Sequence, residues 1–139
     1  MINLLHRLQK FLNFSETNPL TETDPVTYLR HRNQEQFIVV SLDNHDNILE
    51  KQLISIGTAT HCIVHPRDVF RNAIHKNAYS IILYHNHPYN TPIPSVTDIQ
   101  LTEQLTNAGT ILNIQVKDHI IVTNETTISI KTLYPNLFS

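Results

Sequence analysis

Two histidines separated by one residue, His85 and His87, lie in the run YHNHPYNTPIPSVTD, and an aspartate, Asp98, closes it. A chelating pair must point the same way. Side chains alternate along a β-strand, so residues i and i+2 share a face, whereas the same spacing on a helix splays them apart. His85 and His87 therefore converge if the apolar run that starts at Ala78 continues through them as a strand. Neutral imidazole nitrogens suit zinc at about 2.0–2.1 Å, and a carboxylate oxygen is a usual third ligand. Asp98 supplies that oxygen once the proline-broken loop over residues 88–94 folds back. Three protein ligands leave a fourth position for water, the pattern of a catalytic rather than a structural zinc site. The bland alternative is a pair of surface histidines at a strand end. Asp98 has a bland alternative too: Ser95-Val96-Thr97-Asp98 has the pattern of a capping box, with Ser95 as N-cap and Asp98 at N3. Both roles can coexist, because one carboxylate oxygen can face a metal while the other accepts a hydrogen bond.

The elements that must position these residues can be traced from the chain. AYSIILYHN (78–86) is continuously apolar up to His85, as a strand buried on both faces is. EQFIVVSLD (35–43) and NILEKQLISIG (47–57) read as two strands of a hairpin joined at the turn NHDN. PRDVFRNAIHKN (66–77) has apolar residues at 69, 70, 73 and 74, the spacing of a helix opened by Pro66. Asp24 and Pro25 read as the N-cap and first residue of a short helix to about Arg30. The helix after Ser95 is expected to run to Ala108 and stop at Gly109 as its C′ residue. TILNIQVKD, HIIVTN and TTISI read as further strands, with Asn124 and Glu125 at a turn; His119 then falls between strands as a hydrogen-bonded structural residue, with support of a metal ligand as the alternative. Residues 58–64 are ambiguous between loop and strand. Hairpins at both ends with a β-α-β unit between them predict an α/β domain: a three-layer arrangement with a mixed β-sheet flanked by helices.

The 139 residues fit one domain, divided here into residues 1–24, an N-terminal amphipathic helix and linker, and residues 25–139, the metal-binding domain. The net charge of −2 and the lack of a Lys/Arg cluster argue against direct binding of nucleic acid. A single cysteine, Cys62, permits no internal disulfide, suits a cytoplasmic location, and reads as buried filler. No apolar run approaches the length of a membrane span. In MINLLHRLQKFLNF the apolar run is interrupted by His6, Arg7, Gln9 and Lys10, so it reads as a helix with Leu4, Leu5, Leu8, Phe11 and Leu12 on one face. That face either packs on the body of the protein or meets a partner, a second copy of the chain among them. His61, His65 and His75 show no metal-like spacing, and Asn86, between the two histidines, points to the opposite face, where it braces the loop.

His-Asn-His-Pro, six residues, then Ser-x-x-Asp resembles the signature of the JAB/MPN (JAMM) metalloproteases, carried here by His85, His87, Pro88, Ser95 and Asp98. GTATHCIVHPRDVFRNAIHKNAYSIILYHNHP, PIPSVTDIQLTEQL and DHIIV resemble the RadC-like branch of that family, over roughly residues 25–133. The resemblance implies a JAB/MPN, cytidine-deaminase-like architecture. It also implies Zn2+ held by His85, His87 and Asp98, a catalytic glutamate that works through the bound water, and a serine near the oxyanion, Ser95. Glu35 in NQEQFIVV matches the glutamate position, and Glu50 in NILEKQ is the competitor. The activity implied is that of a zinc-dependent metallohydrolase cleaving a peptide or isopeptide bond in an unidentified peptide or protein substrate. The alternatives are a non-catalytic JAB/MPN binding module and a DNA-repair-associated accessory protein. The chain departs from the family in two places. Tyr89 and Asn90 stand where RadC-like proteins usually carry Ser-Gly, which removes backbone freedom from the loop. The residues before Asp24 are too few for a helix-hairpin-helix segment, which weakens an inherited DNA role.

Overall fold

The computed structural model describes residue 20 and residues 23–57, 63–89 and 91–139. The elements begin with helix α1 (Pro25–Arg30), hairpin strands β1 (Gln36–Leu42) and β2 (Ile48–Ile56), helix α2 (Pro66–His75) and strand β3 (Ser80–Asn86). Helix α3 (Val96–Leu112), strands β4 (Gln115–Val122) and β5 (Thr127–Ser129), helix α4 (Ile130–Leu133) and a 3-10 turn (Pro135–Phe138) complete the order. The sheet runs β2-β1-β3-β4-β5. β3 and β4 are parallel and the other pairs antiparallel, so the sheet is mixed.

Alternation along β1 builds the layers. Phe37 and Val39 face a core formed with Val69, Phe70 and Ala73 of α2, Leu105 of α3, and Ile81 and Leu83 of β3. Ile38, Val40 and Leu42 face the opposite way, onto Tyr28 and Leu29 of α1 and onto Leu20. Helices thus cover both faces of the sheet, the three-layer α/β arrangement expected. Asp24 caps α1, accepting from the Thr27 backbone N–H with Pro25 behind it, and Pro66 opens α2, both as the residues predict. The hairpin turn is closed by Asp43, whose carboxylate accepts from the backbone N–H groups of His45 and Asn47, while Asp46 takes a left-handed φ of 63°.

Two boundaries differ from the sequence reading. α3 passes through Gly109 and ends at Leu112, where Asn113 adopts the left-handed cap with φ 56°. Gly109 does not end the helix; it lets the chain come close. A Cβ there would lie 2.4 Å from the Ile114 carbonyl oxygen. TILNIQVKD and HIIVTN are not two strands: residues 110–112 belong to α3, and one strand runs unbroken from Gln115 to Val122. His119 therefore lies inside β4, fully buried, not between strands. The proposed amphipathic start of the chain, His61, Cys62 and Asn90 lie outside the described residues.

Candidate metal centre

Ile81, Leu83 and His85 alternate onto the α2/α3 side of β3, which puts the His85 ring at the edge of the core. The extended backbone continues past Asn86: the His87 N–H donates to the Val122 carbonyl at 2.9 Å, as a further rung of the β3–β4 ladder would. His87 consequently returns to the same side, and the two ring centroids are 4.6 Å apart. β1 contributes from the other flank. Phe37 pairs with His85 across the antiparallel ladder, and Glu35, two residues earlier, shares the face of Phe37. A carboxylate oxygen of Glu35 and one nitrogen each of His85 and His87 lie within 4.8 Å of one another. Glu50 pairs with Ser41 at the opposite end of β1 and takes no part.

The fourth group comes from the start of α3. The Ser95 side chain accepts from the Asp98 N–H at 3.0 Å, and Asp98 Oδ2 accepts from the Ser95 N–H at 2.8 Å, a reciprocal capping box. The box fixes the Asp98 carboxylate rotationally. Its Oδ1 lies 3.3 Å from His85 Nε2 and its Oδ2 3.1 Å from His87 Nε2. His85 and His87 thus lie within reach of the Asp98 carboxylate and of the Glu35 carboxylate, and all four line one cleft together with Ser95.

The outer edges of both rings are engaged. His87 Nδ1 lies 2.6 Å from the Thr91 carbonyl oxygen; a carbonyl only accepts, so Nδ1 carries the hydrogen. A neutral His87 then turns a bare Nε2 lone pair toward a carboxylate. Two electron-rich atoms at 3.1 Å favour a cation between them, either a proton on His87 or a metal ion. The titration behaviour follows the same logic. Burial pulls His87 down, but the hydrogen bonds to Asp98 and to the Thr91 carbonyl, with the charges of Asp98 and Glu35, leave it above its ordinary value. Burial pushes Asp98 up, and the two histidines and the Ser95 N–H more than reverse this, so its carboxyl is held well below the usual range. His85 is pushed down to about 4, by burial first and by His87, against the pull of Asp98. It is neutral at pH 7, the form that binds a metal.

Three further residues complete the setting. Asn86, whose side chain faces away from the histidines, accepts from the Gln36 N–H at 2.7 Å and donates to the Gln34 carbonyl at 2.9 Å. This clips the segment carrying Glu35 onto β3, a brace of the kind read from the sequence. His119 reads from the sequence as a structural residue, with a supporting role behind the ligands as the alternative, and the structure favours that alternative. Its ring is tilted against that of His85 with centroids 5.3 Å apart, and its Nε2 lies 3.1 Å from His85 Nδ1. Thr102, one turn after Asp98 on α3, was missed altogether; its hydroxyl is 2.6 Å from His119 Nδ1. The i, i+4 spacing from Asp98 was the available signal for Thr102. For His119 the signal is its place in DHIIV, one of the segments that carry the family resemblance, while its position behind His85 needs the full extent of β4.

A cleft of about 750 Å3 opens over the four groups, with Ile63, Tyr89, Ile93 and Leu101 among its apolar walls. The profile of the RadC-like JAB domain matches residues 20–134. The chain belongs to the RadC-like JAB domain family. A UPF0758 protein of Methanosarcina barkeri is 36% identical over 135 residues, covering 94% of this chain and 59% of its own length. Another from Caldanaerobacter subterraneus is 44% identical over 123 residues, 86% of this chain and 52% of the relative. One from Finegoldia magna reaches 48% over 97 residues, 70% and 44% respectively. The chain spans about half the length of the curated relatives it matches. In this RadC-like JAB domain, Tyr89 lines the cleft with 70% of its surface exposed.

Proposed function

We propose that this RadC-like JAB domain is a zinc-dependent hydrolase of peptide or isopeptide bonds. His85, His87 and Asp98 would hold the ion, and Glu35 would act as general base. The observation that carries the reading is the convergence of two imidazole nitrogens on one capped carboxylate, with a second carboxylate opposite them in an open cleft. Asp98 takes the ligand role in preference to Glu35 because its two oxygens reach both rings and its rotamer is fixed by the capping box. A bound zinc ion supplies Lewis acidity and brings the pKa of water down toward about 7. Glu35 accepts a proton from the attacking water and delivers it to the leaving amine, as an amide needs a protonated leaving group. The Ser95 oxygen accepts from the Asp98 N–H, which leaves its hydroxyl hydrogen to donate to the developing oxyanion. The apolar cleft walls suit an extended peptide segment better than a small polar substrate.

The test is metal analysis of purified protein before and after chelation, together with turnover of a fluorogenic peptide and isopeptide library. Glu35→Gln is expected to keep zinc and lose at least about 100-fold in rate, the scale of a lost general base, whereas His87→Ala loses zinc and activity together. Hydrolysis that survives chelation, or full activity in Glu35→Gln, would remove the mechanism. Zinc uptake with no turnover of any amide would instead indicate a metal-stabilised binding module.

A further inference from the structure

A buried hydrogen-bonded chain leads from the start of α3 to the back of the His85 ring. The Thr102 hydroxyl is 2.7 Å from the Asp98 backbone carbonyl, 2.6 Å from His119 Nδ1, and His119 Nε2 is 3.1 Å from His85 Nδ1. Thr102 and His119 are fully buried and His85 nearly so. Two oxygens at 2.7 Å, one of them a carbonyl, require a hydrogen between them, and only the threonine hydroxyl has one to give. With its single hydrogen spent on that carbonyl, Thr102 can only accept from His119. A neutral His119 therefore has its hydrogen on Nδ1 and a lone pair on Nε2. That lone pair can be met only by a hydrogen on His85 Nδ1, which leaves His85 Nε2 bare and turned toward Asp98.

We infer that Thr102 and His119 are positioning residues that fix the tautomer of His85, holding its hydrogen on Nδ1 and its Nε2 lone pair toward the site. The information runs one way, from a helix carbonyl that can only accept, through one hydroxyl and one ring, to the nitrogen that would meet a metal. Phe37 keeps water from this chain: its ring stacks on His85 with centroids 6.0 Å apart and meets His119 edge-on at 5.6 Å. The same helix sets both halves of the arrangement, since Asp98 turns its side chain toward His85 and presents the backbone carbonyl that orients Thr102. Without this chain, His85 would be free to place its hydrogen on Nε2 and donate it to Asp98, closing the position a metal needs.

The consequence for metal affinity rests on the zinc reading above; the tautomer does not. Long-range proton–nitrogen correlation spectra of the uniformly 15N-labelled chain, with and without one equivalent of zinc ion, report which nitrogen of His119 is protonated. The expected pattern is hydrogen on Nδ1 in both. Thr102→Val, close in shape but lacking the hydroxyl, is expected to move the His119 hydrogen to Nε2 and to weaken zinc binding about 10- to 100-fold in a competition titration. Thr102→Ser is expected to restore both. A wild-type His119 protonated on Nε2 overturns the inference without recourse to any variant, and so does a folded Thr102→Val chain that binds zinc as tightly as the wild type. If no form takes up zinc, the metal reading fails, and the spectra of the zinc-free chain still decide the tautomer.

Discussion

Asp98 meets several demands with two oxygens. Oδ2 accepts the Ser95 N–H and faces His87, while Oδ1 faces His85, so one group caps the helix and faces both imidazoles. This economy is why the capping-box and ligand readings of the sequence never competed. Asp43 shows a simpler case of a carboxylate tuned by its surroundings. The Asn47 backbone N–H, the Asn47 side chain and the His45 N–H hold its carboxyl below its ordinary value. A group whose folded pKa is depressed stabilises the fold above its unfolded pKa of about 3.9, and that contribution disappears as pH falls through the folded value. Asp43→Ala is therefore expected to be less stable than the wild type at pH 7, with the gap closing on acidification to about pH 2. Urea melts of both proteins at the two pH values check this, and a gap that does not shrink in acid would show that the charge contributes nothing.

At the scale of elements, strand ends and one helix start do the positioning. β3 runs far enough to bring His85 and His87 to one side, α3 begins close enough to place Asp98 against both, and Asn86 ties the start of β1 to the end of β3. Removing the Asn86 amide leaves the Gln36 N–H without its acceptor in a buried setting and the Gln34 carbonyl without this donor in a partly buried one. Asn86→Ala is expected to cost roughly 1–3 kcal/mol and to speed hydrogen exchange at the Gln36 amide. Unchanged exchange there would mean that the clip is not what holds Glu35. Gly109 tests the helix. In an exposed helix interior, Gly→Ala gains about 1 kcal/mol. Here the new Cβ would meet the Ile114 carbonyl oxygen at 2.4 Å, and backbone cannot swing aside as a flexible side chain can. Overpacking of this kind costs about 1–3 kcal/mol, so Gly109→Ala is expected to lower the melting temperature; a rise would show that the turn after α3 yields easily.

At the scale of the molecule, two apolar clusters on opposite faces of the sheet carry the fold, and the candidate site lies at one end of the strands, against the edge of the first cluster, whose Phe37 lines its cleft. The architecture therefore does not depend on a metal as a small zinc finger does. Chelation is expected to leave the far-ultraviolet circular dichroism unchanged. Zinc at about 100 times its dissociation constant adds about 2.7 kcal/mol by mass action, a rise of roughly 10 °C in melting temperature for a chain of this size. Collapse of the dichroism on chelation would make the metal structural, and an unmoved melting temperature in zinc would deny the site its ion. Among the described residues, no helix is long and apolar enough to cross a membrane.

The sequence by itself determined what depends on local periodicity and local chemistry. His85 and His87 share a face because a strand alternates, Ser95 and Asp98 cap a helix because their spacing allows nothing better for those N–H groups, and the hydrophobic runs define an α/β domain. The resemblance added Glu35, which local pattern alone would have left as a charge near a strand start. Tertiary structure decided what depends on pairs distant in the chain. That Glu35 lies opposite His87 follows from the register of β1 against β3, which no single stretch encodes. That His119 stands behind His85 follows from the parallel pairing of β3 with β4, where Leu83 meets His119 and Ile121 meets His85. Periodicity tells a residue which way to face, but only the packed sheet tells it what it faces.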